Sequence, residues 1–572
     1  MLMDYKITYQ QPHKHFIDIE FLIEGINQDT TYLQLPAWRP GRYELSNYSK
    51  NIQKFTVTTL TNTPIPFKKV KKESWEVDTK GLNAIKVTYN YYAAQMDAGA
   101  SWLDEELLYI NFINCLLYIP GRGYEACKID LQLPDNYIIA CGLTKNGKQL
   151  FAKDYYEVAD CPMIASPSLK HRSYEVKGYP FTIWILGDCE PDWDTIVENF
   201  RKFTQEELDM MGDFPEKNYH FLFQLLPHKQ HHGVEHRNST SIVLGPAEQL
   251  NTKNFLNELF SISCHELYHS WNIVKIRPAE LLPYDLTKEN YFQTGFVAEG
   301  ITTYYGEFLL ARAGVFTDEE YFNELNGNLK KHFENYGRFN LSVADSSFDL
   351  WVDGYVAGIP NRKVSIYTKG ALIALIFDLE IRRATQNAKS LDDVMVYLYN
   401  AFAKKGRGYT IEDIQEVLEL IAGVSFKELY HELVFGVSPI EDKLEAAFNY
   451  IGCELEVTDA KTNAEKIWGM KLAHHNNKLV VDYTEPDSPS DKALAKDDEV
   501  LAIDGMKANG NLNEVIGDKK QLTVTLYRRN KLLTVTLTAD DKTYLKNYKI
   551  VKRKNAADEE KENFQKWIKQ PF

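Results

Sequence analysis

The sequence predicts a multidomain α+β protein in which a mainly helical block separates two β-rich ends. We place an N-terminal β sandwich at residues 1–165, the helical block at 166–455, a β domain at 456–545 and a charged helical tail at 546–572. Three observations predict this order: alternating patterns at both ends, helical periods between them, and a metal-binding motif inside the helical block. A chain of 572 residues, 44% of them hydrophobic, can form several packed cores.

The β predictions depend on short segments in which apolar and polar side chains alternate. In the first domain these segments are separated by turn residues, as antiparallel strands require. They lie at 5–9, 16–21 and 85–89. Short strands return near the C-terminus, where Asp504-Gly505 is a strong turn signal. These later strands are predicted at 479–481, 499–503 and 522–526.

The helical block is predicted from apolar residues that recur at helical spacing. The predicted helices cover 193–211, 254–273, 299–313, 367–384 and 391–404. A strand-like segment at 219–225 lies between the first two, so the block is α+β rather than purely helical.

Charge and composition exclude several classes of function. The formal net charge is −15 and the pI is about 5.5, so the surface would repel a phosphate backbone and nucleic acid is a poor partner. The sequence contains no run of 18 apolar residues, which is about the length that a membrane-spanning helix needs. Seven cysteines without pairing spacing fit a reducing compartment. We therefore expect a cytoplasmic protein, or a periplasmic one if a signal peptide has been removed.

The segment 264–272 contains His265-Glu266-x-x-His269, the zinc-peptidase signature. The two histidines are four residues apart, so a helix places them on one face, where they can hold one tetrahedral Zn²⁺. Glu266 lies beside the first of them and can reach a metal-bound water as general base. We expect one Zn²⁺ per chain, although Co²⁺ or Mn²⁺ could use the same ligands.

A catalytic zinc needs a third protein ligand. Glu299 is the leading candidate because it opens a predicted helix in an otherwise apolar segment. Glu289 is the rival, but it lies in a polar stretch typical of a solvated loop. Asn272 follows the motif and is predicted to orient a ligand. His228, His231 and His232 could bind a second metal, although a solvated loop is the favoured interpretation.

Together these motifs resemble the PDZ-bearing glycyl aminopeptidases, a family of thermolysin-like zinc peptidases with two His ligands and one Glu ligand. The resemblance spans nearly the whole chain and depends on the order of its motifs. These are L-P-A-W-R-P-G-R-Y at 35–43, G-V-E-H at 233–236, H-E-L-Y-H-S-W-N at 265–272, E-G-I-T-T-Y-Y at 299–305 and Y-T-K-G-A at 367–371.

The resemblance implies further roles in the site. Glu235 would bind the free α-amino group of the substrate, with Gly233 and His236 beside it, and Tyr367 would donate its hydroxyl to the oxyanion. The broader alanyl aminopeptidases carry Asn where His236 stands, so His236 favours the glycyl branch. The implied activity is removal of small N-terminal residues, Gly or Ala, from peptides with a free N-terminus.

The C-terminal β domain resembles a PDZ domain, in which a loop binds the carboxylate of a peptide that adds a strand to the sheet. Trp468, Gly469 and Met470 would form that loop. A peptide ligand is one alternative; a groove filled internally, or a module that only packs on the enzyme, is the other. Two further functions remain open from the sequence: a zinc endopeptidase, which Glu235 discriminates against, and a non-catalytic adaptor, which would need a damaged site.

Overall fold

The computed structural model describes residues 2–356, 358–508 and 512–572. Within them, a β-rich N-terminal region is followed by a helical middle region and by C-terminal β sheets, as the sequence predicts. None of the described helices combines the length and the apolar character needed to cross a membrane.

The N-terminal region is built from three sheets. A seven-stranded sheet has the order β12-β13-β10-β1-β2-β7-β4, and smaller sheets have the orders β11-β14-β9-β8 and β3-β6-β5. The elements are β1 Leu2–Thr8, β2 Phe16–Glu24, β3 Thr30–Gln34, β4 Ile52–Thr58, β5 Phe67–Lys71, β6 Ser74–Asp78, β7 Ala84–Tyr92, β8 Trp102–Leu103, β9 Leu108–Asn111, β10 Ala126–Leu131, β11 Ile138–Cys141, β12 Thr144–Asn146, β13 Gln149–Ala152, α1 Tyr155–Ala159 and β14 Pro162–Ser166.

The middle region begins with a five-stranded sheet and continues as helices. Its elements are β15 Lys170–Val176, β16 Tyr179–Leu186, α2 Trp193–Met211, β17 Tyr219–Leu225, β18 Gln230–Glu235, β19 Ser239–Gly245, α3 Lys253–Tyr268, α4 Thr302–Arg312, α5 Asp318–Phe333, α6 Val343–Phe348, α7 Leu350–Asp353, α8 Ile366–Ala384, α9 Leu391–Ala401, α10 Ile411–Ala422, α11 Lys427–Tyr430 and α12 Glu441–Tyr450. π-helical segments cover Phe296–Ile301 and His431–Phe435.

The order of the five-stranded sheet places one strand at the edge of the cleft. The order is β15-β16-β17-β19-β18, with β18 antiparallel to β19 and on the outside. Because side chains alternate along a strand, Gly233 and Glu235 of β18 share one face. That face lies against α3, and it brings the G-V-E-H segment next to the H-E-x-x-H helix.

The C-terminal β region has its own small core, separate from the core that the first two regions share. Its elements are β20 Cys453–Thr458, α13 Asn463–Lys466, β21 Met470–His475, β22 Lys478–Thr484, β23 Glu499–Ile503, β24 Met506–Lys507, α14 Leu512–Ile516, β25 Gln521–Arg528, β26 Lys531–Thr538, β27 Asn547–Lys552 and α15 Asp558–Ile568. The main sheet has the order β21-β22-β23-β25-β26, and β24 pairs with β23.

The last residues return to the helical region instead of forming a free tail. β27 pairs with β20, so the beginning of the segment predicted as a helical tail is a strand. Helix α15 then buries Phe564, Trp567 and Ile568 completely in the core of the helical region. The Trp567 indole donates a hydrogen bond to the Tyr304 hydroxyl of α4 at 3.2 Å. This docking is a nonlocal contact between the last helix and α4.

Candidate active site

Helix α3 ends at the second histidine of the H-E-x-x-H motif. The predicted helix extends to residue 273, but the chain leaves the helix at His269, its C-cap. The reason is local: His269 Nδ1 bonds the backbone oxygen of Asn272 at 2.8 Å, which needs a non-helical turn. With Nδ1 engaged in this way, Nε2 of His269 is free to face the cleft.

Three side chains meet at one point beyond the end of α3. The Nε2 atoms of His265 and His269 are 3.1 Å apart. Glu299 Oε2 lies 3.4 Å from His269 Nε2 and 3.9 Å from His265 Nε2. A tetrahedral Zn²⁺ with bonds of about 2.0–2.1 Å would need ligand atoms separated by about 3.3 Å, so this set fits that ion. Glu289, the alternative candidate for the third ligand, is not part of this group.

A π-helical segment and two close glycine contacts place Glu299. The segment Phe296–Ile301 precedes α4, and Glu299 is 3% exposed within it. A Cβ on Gly300 would lie 2.4 Å from the Cα of Gly370 in α8, and one on Gly306 would lie 2.9 Å from the Cβ of His265. The absence of these side chains lets the segment Phe296–Ile301 pack against α8 and lets α4 pack against α3. Glu299 is therefore held between the histidine helix and the helix that carries Tyr367.

Asn272 connects the two ligand-bearing segments. Its side-chain amide donates to the backbone oxygens of Val297 at 2.8 Å and Ala298 at 3.3 Å, and to the Thr302 hydroxyl at 3.0 Å. Its backbone oxygen bonds His269, as described above. One fully buried residue thus orients His269, holds the backbone just before Glu299 and contacts the Thr302 side chain after it.

Buried carboxylates surround His269 and give the site a strong attraction for positive charge. Burial disfavours the charged form of His269, but Glu299, Glu235 and Glu266 outweigh it and raise the pKa of His269 to about 10. Burial lowers the pKa of His265 well below its usual value. A divalent cation would satisfy the same carboxylates, which is a second reason why these residues fit a metal.

Glu266 lies in the last turn of α3, and its side chain is buried. It is 5% exposed, and its Oε2 has no hydrogen-bond partner among the described residues. Burial raises the pKa of Glu266 to about 8, although neighbouring His269 opposes this rise. Such a carboxyl group can both accept and release a proton near neutral pH, which is what a general base and acid must do.

Glu235 lies at the end of β18, close to this group. Glu235, Glu266 and His269 offer ligand atoms that all lie within 4.8 Å of one another. Glu235 is 8% exposed, and burial raises its pKa. Its carboxylate lies against Gly41 of the N-terminal region, where a Cβ would be only 2.6 Å from Oε2. The N-terminal region therefore forms one wall of the site.

His236, the next residue, points away from the metal group toward the N-terminal region. Its Nδ1 lies 3.1 Å from Asp160 Oδ1, and the Arg237 amide donates to the other oxygen of Asp160 at 3.2 Å. Asp160 therefore holds the end of β18 in position. His231 and His232 lie on β18 rather than in the solvated loop that we expected. Among the described residues, neither belongs to a group that could hold a metal ion.

Tyr367 is the second residue of α8 and borders the cleft. About a third of its surface, 36%, remains exposed. Desolvation and the Glu299 carboxylate raise the pKa of the Tyr367 hydroxyl, so it remains a proton donor at neutral pH. Tyr355 lies nearby, accepting from the Tyr43 amide at 3.2 Å and donating to the Gly41 oxygen at 3.4 Å.

The sequence reasoning missed the contribution of the Trp38–Tyr43 segment and of Tyr355. The sequence connects this segment to the site only through the family resemblance, and the structure places its Gly41 against Glu235. The signal was present as a run of Trp, Arg, Pro and Gly between strands, which is unusual in a simple β connection.

The loop predicted to bind a carboxylate lies in the C-terminal β region, apart from the metal group. Gly469 has φ +64°, and its carbonyl accepts from the Glu485 amide at 2.7 Å. Trp468 is fully buried. A cavity of about 470 Å³ lies beside the loop, lined by residues including Met470, Leu472 and Leu512.

Fold and site together define a metallopeptidase. Two family models match the chain: the Peptidase M61 N-terminal domain over residues 4–167, and the M61 glycyl aminopeptidase over residues 258–373. The N-terminal region and the region of the metal group thus each resemble a domain of the M61 glycyl aminopeptidases, which supports a metalloaminopeptidase.

Solved structures resemble this chain to different extents. The crystal structure of an aminopeptidase N family protein from Idiomarina loihiensis superposes with a TM-score of 0.90 at 24% identity, covering 99% of this chain and 100% of that one. An M1 zinc metallopeptidase from Deinococcus radiodurans, bound to a Tyr-Ser-Ala substrate, gives a TM-score of 0.47 at 14% identity, with 77% of this chain and 94% of that chain covered. The first match shows a common fold from end to end. No curated protein sequence matches the chain.

Proposed function

We propose that this chain is a zinc-dependent aminopeptidase that hydrolyses the first peptide bond of peptides with small N-terminal residues, Gly or Ala preferred. The observation that carries the proposal is Glu235, a buried carboxylate that shares one cluster with Glu266 and His269. A carboxylate there would pair with the free α-amino group of the substrate. This pairing would place the first peptide bond of the substrate at the metal group. The family description names a glycyl aminopeptidase, which supports Gly at the first position, and the extension to Ala follows from the resemblance.

His265, His269 and Glu299 would hold one Zn²⁺ per chain. Their donor set, two imidazoles and one carboxylate, is that of catalytic zinc sites with an open fourth position. When bound, the metal supplies Lewis-acid activation of water and of the scissile carbonyl. Asn272 would maintain the ligand geometry through its bonds to His269 and to the backbone around Glu299.

Glu266 would move the proton. It would accept a proton from the attacking water and transfer it to the nitrogen of the leaving amine, so that the carboxylate is regenerated in each cycle. The raised pKa of Glu266, about 8 in the buried site, would help it to release that proton. Glu235 would not compete for this task, because the substrate ammonium would neutralise it.

Tyr367 would stabilise the oxyanion. A protonated phenol at the cleft border would donate its hydrogen bond when the carbonyl oxygen gains charge in the transition state. This role requires that Tyr367 lies across the cleft from Glu266, on the helix that contacts the Glu299 segment.

A second candidate function concerns the C-terminal β region. We propose that the loop of Trp468, Gly469 and Met470, with the cavity beside it, is a PDZ-like site for a peptide C-terminus. Calorimetric titration with a random C-terminal peptide library would reveal binding. Amidation of the selected peptides should abolish it, and equal binding of the amides would contradict a carboxylate-binding loop.

Hydrolysis of matched peptides tests the main proposal. Peptides that begin with Gly or Ala, each with a free or an acetylated N-terminus, would be incubated with and without a chelator. We expect chelator-sensitive cleavage of the free-amine peptides only, and recovery of activity when Zn²⁺ is restored. Longer side chains at the first position should lower kcat/KM.

Each contrary result has a distinct meaning. Equal cleavage of acetylated peptides would replace the aminopeptidase proposal with an endopeptidase. Absence of cleavage by the zinc-loaded protein would leave only peptide binding by an adaptor.

A further inference from the structure

Two buried cysteines of the N-terminal region face each other. Cys141 is the last residue of β11, and Cys161 directly precedes β14, the strand that pairs with β11. Their Sγ atoms are 3.5 Å apart, and the two residues are 9% and 2% exposed. A disulfide bond is about 2.05 Å long, so the sulfur atoms lie about 1.5 Å from bonding distance. The pair is therefore close to the geometry of a disulfide.

The residue before Cys161 holds the turn that follows Glu235. Asp160 Oδ1 lies 3.1 Å from His236 Nδ1, and Asp160 Oδ2 accepts from the Arg237 amide at 3.2 Å. His236 is the first residue after β18, the strand that ends at Glu235. A movement of the backbone at Cys161 would therefore be transmitted through Asp160 to the end of β18.

The residue after Cys141 contacts the other end of the same turn. The Gly142 carbonyl accepts from the Asn238 side-chain amide at 2.9 Å, and a Cβ on Gly142 would lie only 2.3 Å from Asn238 Oδ1. Because this contact is so close, the backbone at Gly142 cannot shift toward the turn without displacing Asn238. Both ends of the turn 236–238 thus depend on backbone that adjoins a cysteine of the pair.

Cys141 is the more reactive of the two thiols. Burial opposes its ionisation, but a hydrogen bond from Cys161 and the backbone amides of Leu143 and Gly142 outweigh burial and lower the pKa of Cys141. The hydrogen bond to Cys141, together with burial, raises the pKa of Cys161. Cys141 is also the more exposed residue, so it would react first with an oxidant, and Cys161 would complete the bond.

Formation of the bond requires the backbone to move. Cys141 lies opposite Met163 in the pairing of β11 with β14, so Cys161 is its diagonal neighbour. Diagonal neighbours in an antiparallel pair have Cα atoms about 7–8 Å apart, whereas a disulfide usually spans about 4.4–6.8 Å. A bond would therefore draw the backbone at Cys161 toward β11, and Asp160 would move with it.

We propose that Cys141 and Cys161 form a reversible disulfide that displaces the Glu235 end of β18 and weakens the binding of peptide substrates. The disulfide itself goes beyond the proposed function, whereas its effect on activity rests on that function. In a reducing compartment such a bond is transient and forms under oxidative conditions.

The oxidant is a hydroperoxide, and the step is a two-electron oxidation. The Cys141 thiolate attacks one peroxide oxygen, the O–O bond breaks, and Cys141 becomes a sulfenic acid. The hydroxide that leaves takes the proton that Cys141 had released. The Cys161 sulfur then attacks the sulfenic sulfur, and the displaced hydroxide leaves as water with the Cys161 proton. With hydrogen peroxide, two thiols and one peroxide give one disulfide and two waters.

The test combines peptide mapping with kinetics on the full chain. The reduced, zinc-loaded protein is treated with hydrogen peroxide, its remaining thiols are alkylated after denaturation, and mass spectrometry locates the disulfide. We expect a bond between residues 141 and 161 and a rise in KM for glycyl-4-nitroanilide of at least about tenfold, with kcat changed less than about threefold. Dithiothreitol should restore the original KM.

Variants assign the effect to this pair. Cys141→Ala and Cys161→Ala should keep the KM of the reduced wild type and lose its response to peroxide, because neither can form the bond. Cys189→Ala is the matched control, since Cys189 is a half-buried cysteine outside the pair. Its KM should still rise on oxidation and recover with dithiothreitol.

Two outcomes would overturn the inference while leaving the aminopeptidase intact. One is the absence of a 141–161 bond from peroxide-treated protein. The other is a mapped bond with an unchanged KM, which would show that the turn does not move. Failure of the reduced enzyme to cleave any peptide would instead contradict the proposed function, and peptide mapping would still decide whether the disulfide forms.

Discussion

The carboxylate of Glu266 lies directly against Gly233 of the edge strand. A Cβ on Gly233 would be 2.2 Å from Glu266 Oε1 and 3.1 Å from the Cδ1 of Ile262. A side chain at position 233 would collide with Glu266, and this explains the glycine of the G-V-E-H segment. The backbone conformation of Gly233 does not itself require glycine. Strand β18 and helix α3 approach each other at the residue proposed to move the proton.

Gly233→Ala should displace Glu266 without removing any functional group. We expect kcat to fall about a hundredfold, because a shift of about 1 Å in a catalytic group can cost that much. Metal content, measured by atomic absorption, should remain that of the wild type. Gly327→Ala is the control, since a Cβ there has no neighbour within 4 Å. Unchanged activity in Gly233→Ala would show that the contact does not position Glu266.

Glu266→Gln should retain the metal but lose turnover. Glutamine has nearly the same shape and cannot accept the proton, so we expect a decrease in kcat of about two to four orders of magnitude. Metal binding should persist because Glu266 is not among the three proposed ligands. Near-normal turnover of the metal-loaded variant would refute its role as general base.

Tyr367→Phe should act mainly on kcat. Its hydrogen bond would form in the transition state, so we expect kcat to fall about a hundredfold to a thousandfold with little change in KM. Tyr397→Phe provides a matched control, because Tyr397 is also 36% exposed and lies on α9 outside the site. An effect confined to KM would assign Tyr367 to substrate binding instead.

Asn272→Ala should weaken metal binding. It removes the amide that holds the backbone around Glu299, and losses of partners that orient ligands typically cost about 10- to 100-fold in affinity. Competition with a chromogenic chelator would measure the change. Asn400→Ala, at an exposed position, should leave the affinity unchanged. Equal affinities in both variants would mean that Glu299 is positioned by packing alone.

Trp567→Ala should destabilise the helical region, far from the C-terminal β core. Trp567 is completely buried between α4 and α5, and loss of such a side chain costs about 3–5 kcal/mol of unfolding free energy. Chemical denaturation followed by far-UV circular dichroism would measure it. Tyr124→Ala, at a residue that is 72% exposed, should change the free energy of unfolding by less than about 0.5 kcal/mol. A similar small loss in Trp567→Ala would contradict the docking of α15.

Much of the local structure could be predicted because its signals are local. The helix Trp193–Met211, the strand Tyr219–Leu225 and the strand Glu499–Ile503 have the bounds that periodicity predicts. The ends of α3 and of the last segment could not be predicted in this way. His269 leaves the helix because of a bond to Asn272, and β27 is a strand because β20 pairs with it.

By itself, the sequence determined the β-rich, helical and β-rich order of the chain and the identity of the metal-type residues, because periodicity and the spacing of His265 and His269 lie within single elements. The tertiary structure decided what those residues meet. It placed Glu299 rather than Glu289 beside the histidines, Gly41 against Glu235, and Arg39 over Gly99. These contacts join segments that are distant in the chain, and packing between elements, which no local pattern records, determines them.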